Sequence, residues 1–306
     1  MGLVDQGFAL YLSRITPPQT QMEAAQRSHN ALRAFLEGDG YFGRMIVTTF
    51  LNGSYARGTV VRPIKDVDVI VVVGPEWLRE SPAKAMEALR RKLSQRYPER
   101  RTLRQRRAVR VTLYDMQLDV LLAVAVSDDS HPLRIPDRRM DRWIETHPKL
   151  QLELTSRLKS ATAGNYSKLV RLLKGWSASR VAARDRPSSF VLECAAYHVI
   201  ARQPGAFAAP VSDTFVILLD RLREWDFGRS EQFLSWGRPG VPDPALPRLN
   251  VAERWDSKAV DRYRARLDLA LKRCADLPRS RWEETEVEKW RMILGEPFAG
   301  PIGARR

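Results

Sequence analysis

Two cysteines, Cys194 and Cys274, are the only thiols in a chain of 306 residues. They lie far apart, neither sits in a C-x-x-C, and the four histidines share no ligand spacing with them. Structural zinc and a disulfide framework are therefore excluded, and two buried thiols are expected. No apolar run approaches the roughly 20 residues of a membrane helix. Met1 to Ile15 has no basic region leading into a long apolar core, so it does not read as a signal peptide. Position 6 is Gln6, not Ser or Thr, which removes a myristoylation reading. With no address visible, the cytoplasm is the expected location. There is no internal repeat, no low-complexity tract and no Walker A sequence. Gly38-Asp39-Gly40-Tyr41-Phe42-Gly43 does fit G-x-G-x-x-G. It follows a helical pattern and precedes a strand, the reverse of a dinucleotide fingerprint, so it reads as a helix stop and turn.

Acidic residues are also scarce relative to bases. Lys and Arg number 51 against 36 Asp and Glu, a net charge of +15. Such a balance favours polyanionic partners without choosing among nucleotides, nucleic acid and acidic surfaces. Residues 90–110 hold ten Lys/Arg and one acid, Glu99. That stretch reads either as an exposed helix end and loop or as a contact surface for nucleic acid.

Along the chain, Val4 to Glu37 has helical periodicity, broken at Thr16-Pro17-Pro18, where proline removes a donor. Met45 to Asn52 is a β-branched strand. Gly53 to Lys65 is a loop or short helix start, and Asp66 to Val73 (DVDVIVVV) is a strand buried on both faces beyond Asp68. Ser81 to Tyr97 is an amphipathic helix. Arg106 to Tyr114 and Gln117 to Val126 are strands joined by a tight turn around Asp115. Asp128 to Pro148, rich in Pro, Asp and Arg, reads as the boundary between two lobes. Helices are expected at about 149–163, 166–184, 188–202, 211–225, 256–276 and 281–294, with a proline-rich loop at 229–250 and a mobile tail from Gly295. The expected fold is thus an α/β lobe with a central mixed sheet, residues 1–148 including the first helix, followed by a helical lobe, 149–306.

The chemistry centres on Asp66-Val67-Asp68. Alternation along a strand puts both carboxylates on one face, where they repel each other unless a cation lies between them. All-oxygen ligands favour Mg²⁺ or Mn²⁺. Alone, the pair reads rather as a strand-start Asp pair capping a turn. Asp119, in the apolar run Gln117-Leu118-Asp119-Val120-Leu121-Leu122, supplies a third carboxylate from another strand and makes a two-metal site the better reading. Asp115 competes for that role but sits where a hairpin turn favours Asp. Gly53-Ser54-Tyr55-Ala56-Arg57-Gly58-Thr59 follows one strand and precedes the Asp pair. Glycine there lets backbone N–H groups approach phosphate, and Ser54 adds a hydroxyl donor.

Strand, G-S-Y-A-R-G-T, D-V-D and a later strand Asp together resemble the polymerase-beta-like nucleotidyltransferase superfamily. Within it they are most similar to the bacterial CD-NTases, relatives of cyclic GMP-AMP synthase and oligoadenylate synthase. Ile135-Pro136-Asp137 through Trp143-Ile144-Glu145-Thr146-His147-Pro148 resembles that family's segment between lobes. Leu169-Val170-Arg171-Leu172-Leu173-Lys174-Gly175-Trp176 resembles its R-L-x-K-x-W helix, and Pro187-Ser188-Ser189-Phe190-Val191-Leu192-Glu193 the next helix start. The resemblance runs over roughly residues 20 to 225. It implies that Asp66, Asp68 and Asp119 hold two Mg²⁺ ions in a cleft between the lobes, Asp119 also helping to deprotonate the acceptor hydroxyl. Gly53 and Ser54 would hold the donor triphosphate. Arg171 and Lys174, three apart on one helical face, and Ser189 would reach its phosphates, and Phe190 would stack on the donor base. Read by residue type alone, Arg171 and Lys174 also fit a solvated basic face and Phe190 a core position. The implied activity joins NTPs, ATP among them, into a cyclic di- or trinucleotide second messenger, in bacterial anti-phage (CBASS) signalling through a downstream effector. Two alternatives stay open at this point: nucleotidyl transfer to RNA or protein, and a nucleic-acid sensor with a silent transferase site.

Overall fold

A computed structural model of the chain describes residues 2–98, 101–114, 116–126, 132–225, 240–275, 283–295 and 298. In chain order the helices are α1 Leu3–Ile15, α2 Gln19–Glu37, α3 Gly53–Ala56, α4 Pro82–Ser94, α5 Pro148–Ala161, α6 Asn165–Arg180, α7 Ser189–Arg202, α8 Val211–Trp225, α9 Ser257–Ala275 and α10 Glu283–Leu294. The strands are β1 Ile46–Asn52, β2 Asp66–Val73, β3 Thr102–Arg104, β4 Val109–Thr112, β5 Gln117–Ala125, β6 Leu133–Asp137 and β7 Arg142–Thr146. The chain forms two compact units, Pro17–Leu152 and Met1–Thr16 with Glu153–Arg306.

The first of these is a sheet with helices. Its strand order is β1-β2-β5-β4-β3, with β6 pairing β5 and β7 pairing β6. Among the described strands only β2 and β5 run parallel; the other pairs are antiparallel. Alternation in DVDVIVVV sends Val67, Val69, Val71 and Val73 to one face, where they pack with Leu118, Val120, Leu122 and Val124 and with Leu32, Leu36, Leu89 and Leu93. Ile70 and Val72 point the other way, on to Ala123, Ala125, Leu133 and Ile135. Beyond Asp68, β2 is therefore buried on both faces, as its unbroken apolar run requires. Ser81 caps α4, its hydroxyl accepting from the Lys84 N–H at 3.3 Å. The G-x-G-x-x-G stretch ends α2, and Asp39 accepts from the Tyr41 N–H there at 3.1 Å.

Residues expected as a connection form the hairpin β6–β7 instead. Leu133 and Ile135 alternate inward while Arg134 pairs with Glu145 on β7 at 3.0 Å. The prolines and charges that suggested a loop sit on an outer part of the sheet, where a missing N–H is tolerated. The strand expected from Arg106 is also shorter, starting at Val109, because Arg106 and Arg107 turn to Asp137. Leu113 N–H donates to the Met116 carbonyl at 2.9 Å across the expected turn, whose Asp115 lies outside the described residues.

Asp137 is fully buried and accepts from Arg106 Nε at 2.9 Å, Arg107 Nε at 3.1 Å and the Arg139 N–H at 3.1 Å. Burial pushes its carboxyl upward, but the two guanidinium hydrogen bonds outweigh this and hold it below the ordinary range. Its contribution to stability is present above the ordinary carboxylate value and is lost as pH falls through the lowered one. Asp137→Ala should cost about 2 kcal/mol at neutral pH, by removing the charged hydrogen-bond partner of the half-buried Arg106 and the more exposed Arg107. Urea melts should show that cost shrinking below the carboxylate range.

The second unit is helical, with a core around Trp176, Tyr166, Tyr263, Phe215 and Trp290. Here α1 packs by Phe8, which meets Trp290 edge-on at 4.7 Å between ring centres, so the first helix belongs by contact to this unit and not to the sheet. The expected division at 148/149 thus lies four residues before the contact boundary at 152/153. Phe298 is fully buried against Phe8 and Tyr11, which overturns the expectation of a mobile tail at that residue. The remaining tail positions, 296–297 and 299–306, and residues 229–239 of the expected loop lie outside the described residues.

Candidate active site

The site is assembled by strand register. Asp68 on β2 stands opposite Asn52 on β1 and opposite Asp119 on β5, and Asp119 stands opposite Arg110 on β4. Directly opposed side chains share a face, so Asn52, Asp68, Asp119 and Arg110 form one polar row across four strands. Two residues back, Asp66 lies beside Gln117, which lies beside Thr112. The next row in the other direction is Phe50, Ile70 and Leu121, where the same face turns apolar.

Gly53 opens the four-residue helix α3 directly after β1, with φ at +70°. A Cβ built there would lie 1.8 Å from Asp68 Oδ2, so the turn presses on the carboxylate as closely as a backbone can. Gly58, also at positive φ (+65°), closes the turn, its N–H donating to the Tyr55 carbonyl at 3.1 Å. Ser54 is half-buried beside Gly53.

The Asp66 charge is the strained one at this site. Burial, and after it the Asp119 charge, push the Asp66 carboxyl above its ordinary value; Arg110 and Lys65 pull it partly back. The Arg110 guanidinium grips Asp119 with both arms, Nε to Oδ1 and Nη2 to Oδ2, each 2.7 Å. Among the described residues no three acidic, His or Cys groups are already gathered round a point where an ion would sit. The donor set nevertheless suits a hard divalent cation: it is all oxygen, it carries repelling carboxylates, and Asn52 Oδ1 beside it is buried with no hydrogen-bond partner among the described residues.

The other expected ligands lie in the helical unit. Lys174 on α6 is buried in an ion pair with Glu193 on α7 at 2.6 Å, both side chains 4% exposed. Arg171, one turn earlier, is half-buried, and burial lowers its pKa. Burial, and after it the Arg171 charge, also lowers the pKa of Lys159 on α5, so two cations face each other there. Ser189 is exposed at the first position of α7, whose cap is Ser188, accepting from the Val191 N–H at 3.3 Å. Phe190 packs half-buried against the helical core.

The basic stretch is internally paired to a large degree. Glu87 holds Arg90, Arg91 and Arg104; Asp39 holds Lys92; Asp137 holds Arg106 and Arg107; Asp119 holds Arg110. Glu99 and Arg100 lie outside the described residues. Sequence reasoning missed Arg110 as the partner of Asp119 and Glu193 as the partner of Lys174. The only local signal for Arg110 is a charge alternating with valines in Val109-Arg110-Val111.

A mixed sheet that sets two strand carboxylates and a neighbouring third under a Gly-Ser turn defines a nucleotidyltransferase. Residues 1–157 match the family described as Second Messenger Oligonucleotide or Dinucleotide Synthetase domain, and the chain belongs to that family. It is 28% identical to the cyclic AMP-AMP-AMP synthase of an Acinetobacter species, over 96% of this chain and 84% of that one. It is 23% identical to the cyclic AMP-AMP-GMP synthase of Enterobacter hormaechei, over 98% and 93% of the respective chains. The structure of Escherichia coli MS115-1 CdnC with ATP superposes with a TM-score of 0.79 at 17% identity, covering 98% of this chain and 99% of that one, and so shares the fold. Enzymes of this kind generally use divalent metal ions. No described helix is long and apolar enough to cross a membrane.

Proposed function

We propose that this chain joins NTPs, ATP among them, into a cyclic di- or trinucleotide, releasing pyrophosphate, as a second messenger for a downstream effector in anti-phage (CBASS) signalling. The observation that carries the reading is the register that sets Asp68 opposite Asp119, with Asp66 on the same face, under the Gly53 turn. The relatives named for cyclic AMP-AMP-AMP and AMP-AMP-GMP synthesis and the neighbour solved with ATP support nucleotide substrates.

In this reading Pro17–Leu152 is the catalytic core. Asp66, Asp68 and Asp119 hold two Mg²⁺, with Mn²⁺ able to replace them. When bound, the ions lower the pKa of the acceptor hydroxyl and stabilise the leaving pyrophosphate. Gly53 and Ser54 offer backbone and hydroxyl donors to the donor triphosphate. Asp119 helps draw the proton from the acceptor hydroxyl as its oxygen bonds to the α-phosphorus. Arg171 and Ser189 serve the phosphates and Phe190 the donor base. Lys174 reaches phosphate only by exchanging Glu193 for it, since a buried ammonium keeps one counter-charge or another. Seven of the ten bases in 90–110 already pair with four acids of the same unit, so nucleic-acid contact through that stretch forms no part of this reading.

Incubation with labelled NTPs and Mg²⁺ tests the proposal. A small phosphatase-resistant product with the mass of a cyclic di- or trinucleotide is expected, together with pyrophosphate. Label found only on added RNA or protein would reject it in favour of transfer to a macromolecule.

A further inference from the structure

We propose that Arg110 is a positioning residue for the transfer reaction. In the metal-free chain it holds Asp119 by both carboxylate oxygens, and it sets how tightly the site takes a divalent cation. The inference rests on the reading of Asp66, Asp68 and Asp119 as metal ligands.

The pairing is built into the sheet. Arg110 stands directly opposite Asp119 across β4 and β5, and both guanidinium arms lie in line with both oxygens at 2.7 Å. It is shielded from solvent, the side chains being 28% and 14% exposed, so water screens the contact only in part. The strands do not need it as a fastening. Four residues of β4 already pair in register with β5, from Val109 opposite Val120 to Thr112 opposite Gln117.

A planar fork of donors matches a carboxylate in a way that no ammonium does, so Arg110 fixes the plane of Asp119 as well as its place. A divalent ion and the guanidinium both seek the same two oxygens. Each oxygen has lone pairs for both, but two cations a few ångströms apart repel. Metal entry must therefore turn Asp119 so that it yields one oxygen, and Arg110 keeps the other. The fixed charge then lowers metal affinity, while the retained hydrogen bond aims the free oxygen. The same charge lies close enough to Asp66 and Asp68 to act on them as well. A site tuned in this way takes its ions more readily once the triphosphate adds its own negative charge, so that metal and nucleotide load together.

The test uses the full chain, stripped with EDTA, as wild type, Arg110→Gln, Arg110→Lys and Asp119→Asn. Free Mn²⁺ is followed by electron paramagnetic resonance without nucleotide, melting is followed with and without Mn²⁺, and kcat and KM are measured at saturating Mn²⁺. Arg110→Gln should bind Mn²⁺ more tightly than wild type, on the order of tenfold, and gain more melting temperature from it. Its kcat should fall while KM for NTP stays near wild type, because the carboxylate has lost its aim. Arg110→Lys keeps the charge without the fork, so its Mn²⁺ affinity should stay low while kcat still drops. A residue that merely stiffened the sheet would not raise metal affinity on removal. Equal or weaker Mn²⁺ binding by Arg110→Gln, or an unchanged kcat in both variants, overturns the inference. Should Asp119→Asn keep both Mn²⁺ binding and turnover, the metal-ligand reading itself fails, a result distinct from the other two.

Discussion

Asp66→Asn and Asp68→Asn should each lower nucleotidyl transfer by at least about a thousandfold, roughly 4 kcal/mol of lost transition-state stabilisation. An amide keeps the size of the carboxylate and loses its charge, so the metal site loses a ligand without a cavity opening beneath it. Stability should respond in the opposite sense at Asp66. Its charge is half-buried in β2 and lies against that of Asp119, a cost the metal-free chain carries with Arg110, Lys65 and a backbone hydrogen bond offsetting it in part. Asp66→Asn should therefore melt no lower than wild type in EDTA at neutral pH, where the wild-type carboxylate is ionised and repelled. Added Mg²⁺ should narrow that difference, because it stabilises only the chain that retains the carboxylates. Product formation from labelled NTPs and thermal melts with and without Mg²⁺ measure both halves. Wild-type turnover in both variants would remove the metal role of the pair.

The parts of this site that the sequence makes legible are those whose signal is local. Alternation alone fixes that Asp66 and Asp68 share a face, and the apolar run behind them fixes a strand buried on two sides. Asp119 is legible for the same reason, a lone carboxylate in an otherwise apolar strand. The partners across the sheet are not. Arg110 meets Asp119 only because β4 pairs β5 in one register, and nothing within β4 announces that register. The hairpin β6–β7 is obscured by Pro136 and by its charges, Asp137 among them, which are held by arginines that lie outside the hairpin or across it, so residues that read as a connection also serve as strands. Helix α1 is plainly helical in sequence, yet its membership in the helical unit depends on Phe8 meeting Trp290, residues almost the whole chain apart. The buried Lys174–Glu193 pair shows the limit from another side. Helical spacing puts Arg171 and Lys174 on one face, but whether that face meets water, phosphate or a glutamate is decided by α7.

Gly53→Ala should be nearly as damaging as losing a carboxylate, although it deletes nothing. The residue sits at φ +70°, where an L side chain costs about 1–2 kcal/mol. The added methyl would lie 1.8 Å from Asp68 Oδ2 and 2.8 Å from its Cγ, well inside contact distance. Either the turn moves away from the strand or Asp68 leaves its place in the row with Asp119. Displacement of about 1 Å in a positioned group is enough to cost on the order of a hundredfold in rate. Gly40→Ala is the control, since a Cβ there meets nothing within 4 Å; it should leave turnover unchanged. The two effects of Gly53→Ala separate in a double-mutant cycle. In the Asp68→Asn background the stability loss should persist, because the backbone strain is the same. The activity loss should shrink, because the carboxylate that the methyl displaces is already gone and only the turn's hold on the triphosphate is left to lose. Independent, multiplying activity losses in that cycle would mean that Gly53 acts on the triphosphate alone and not through Asp68.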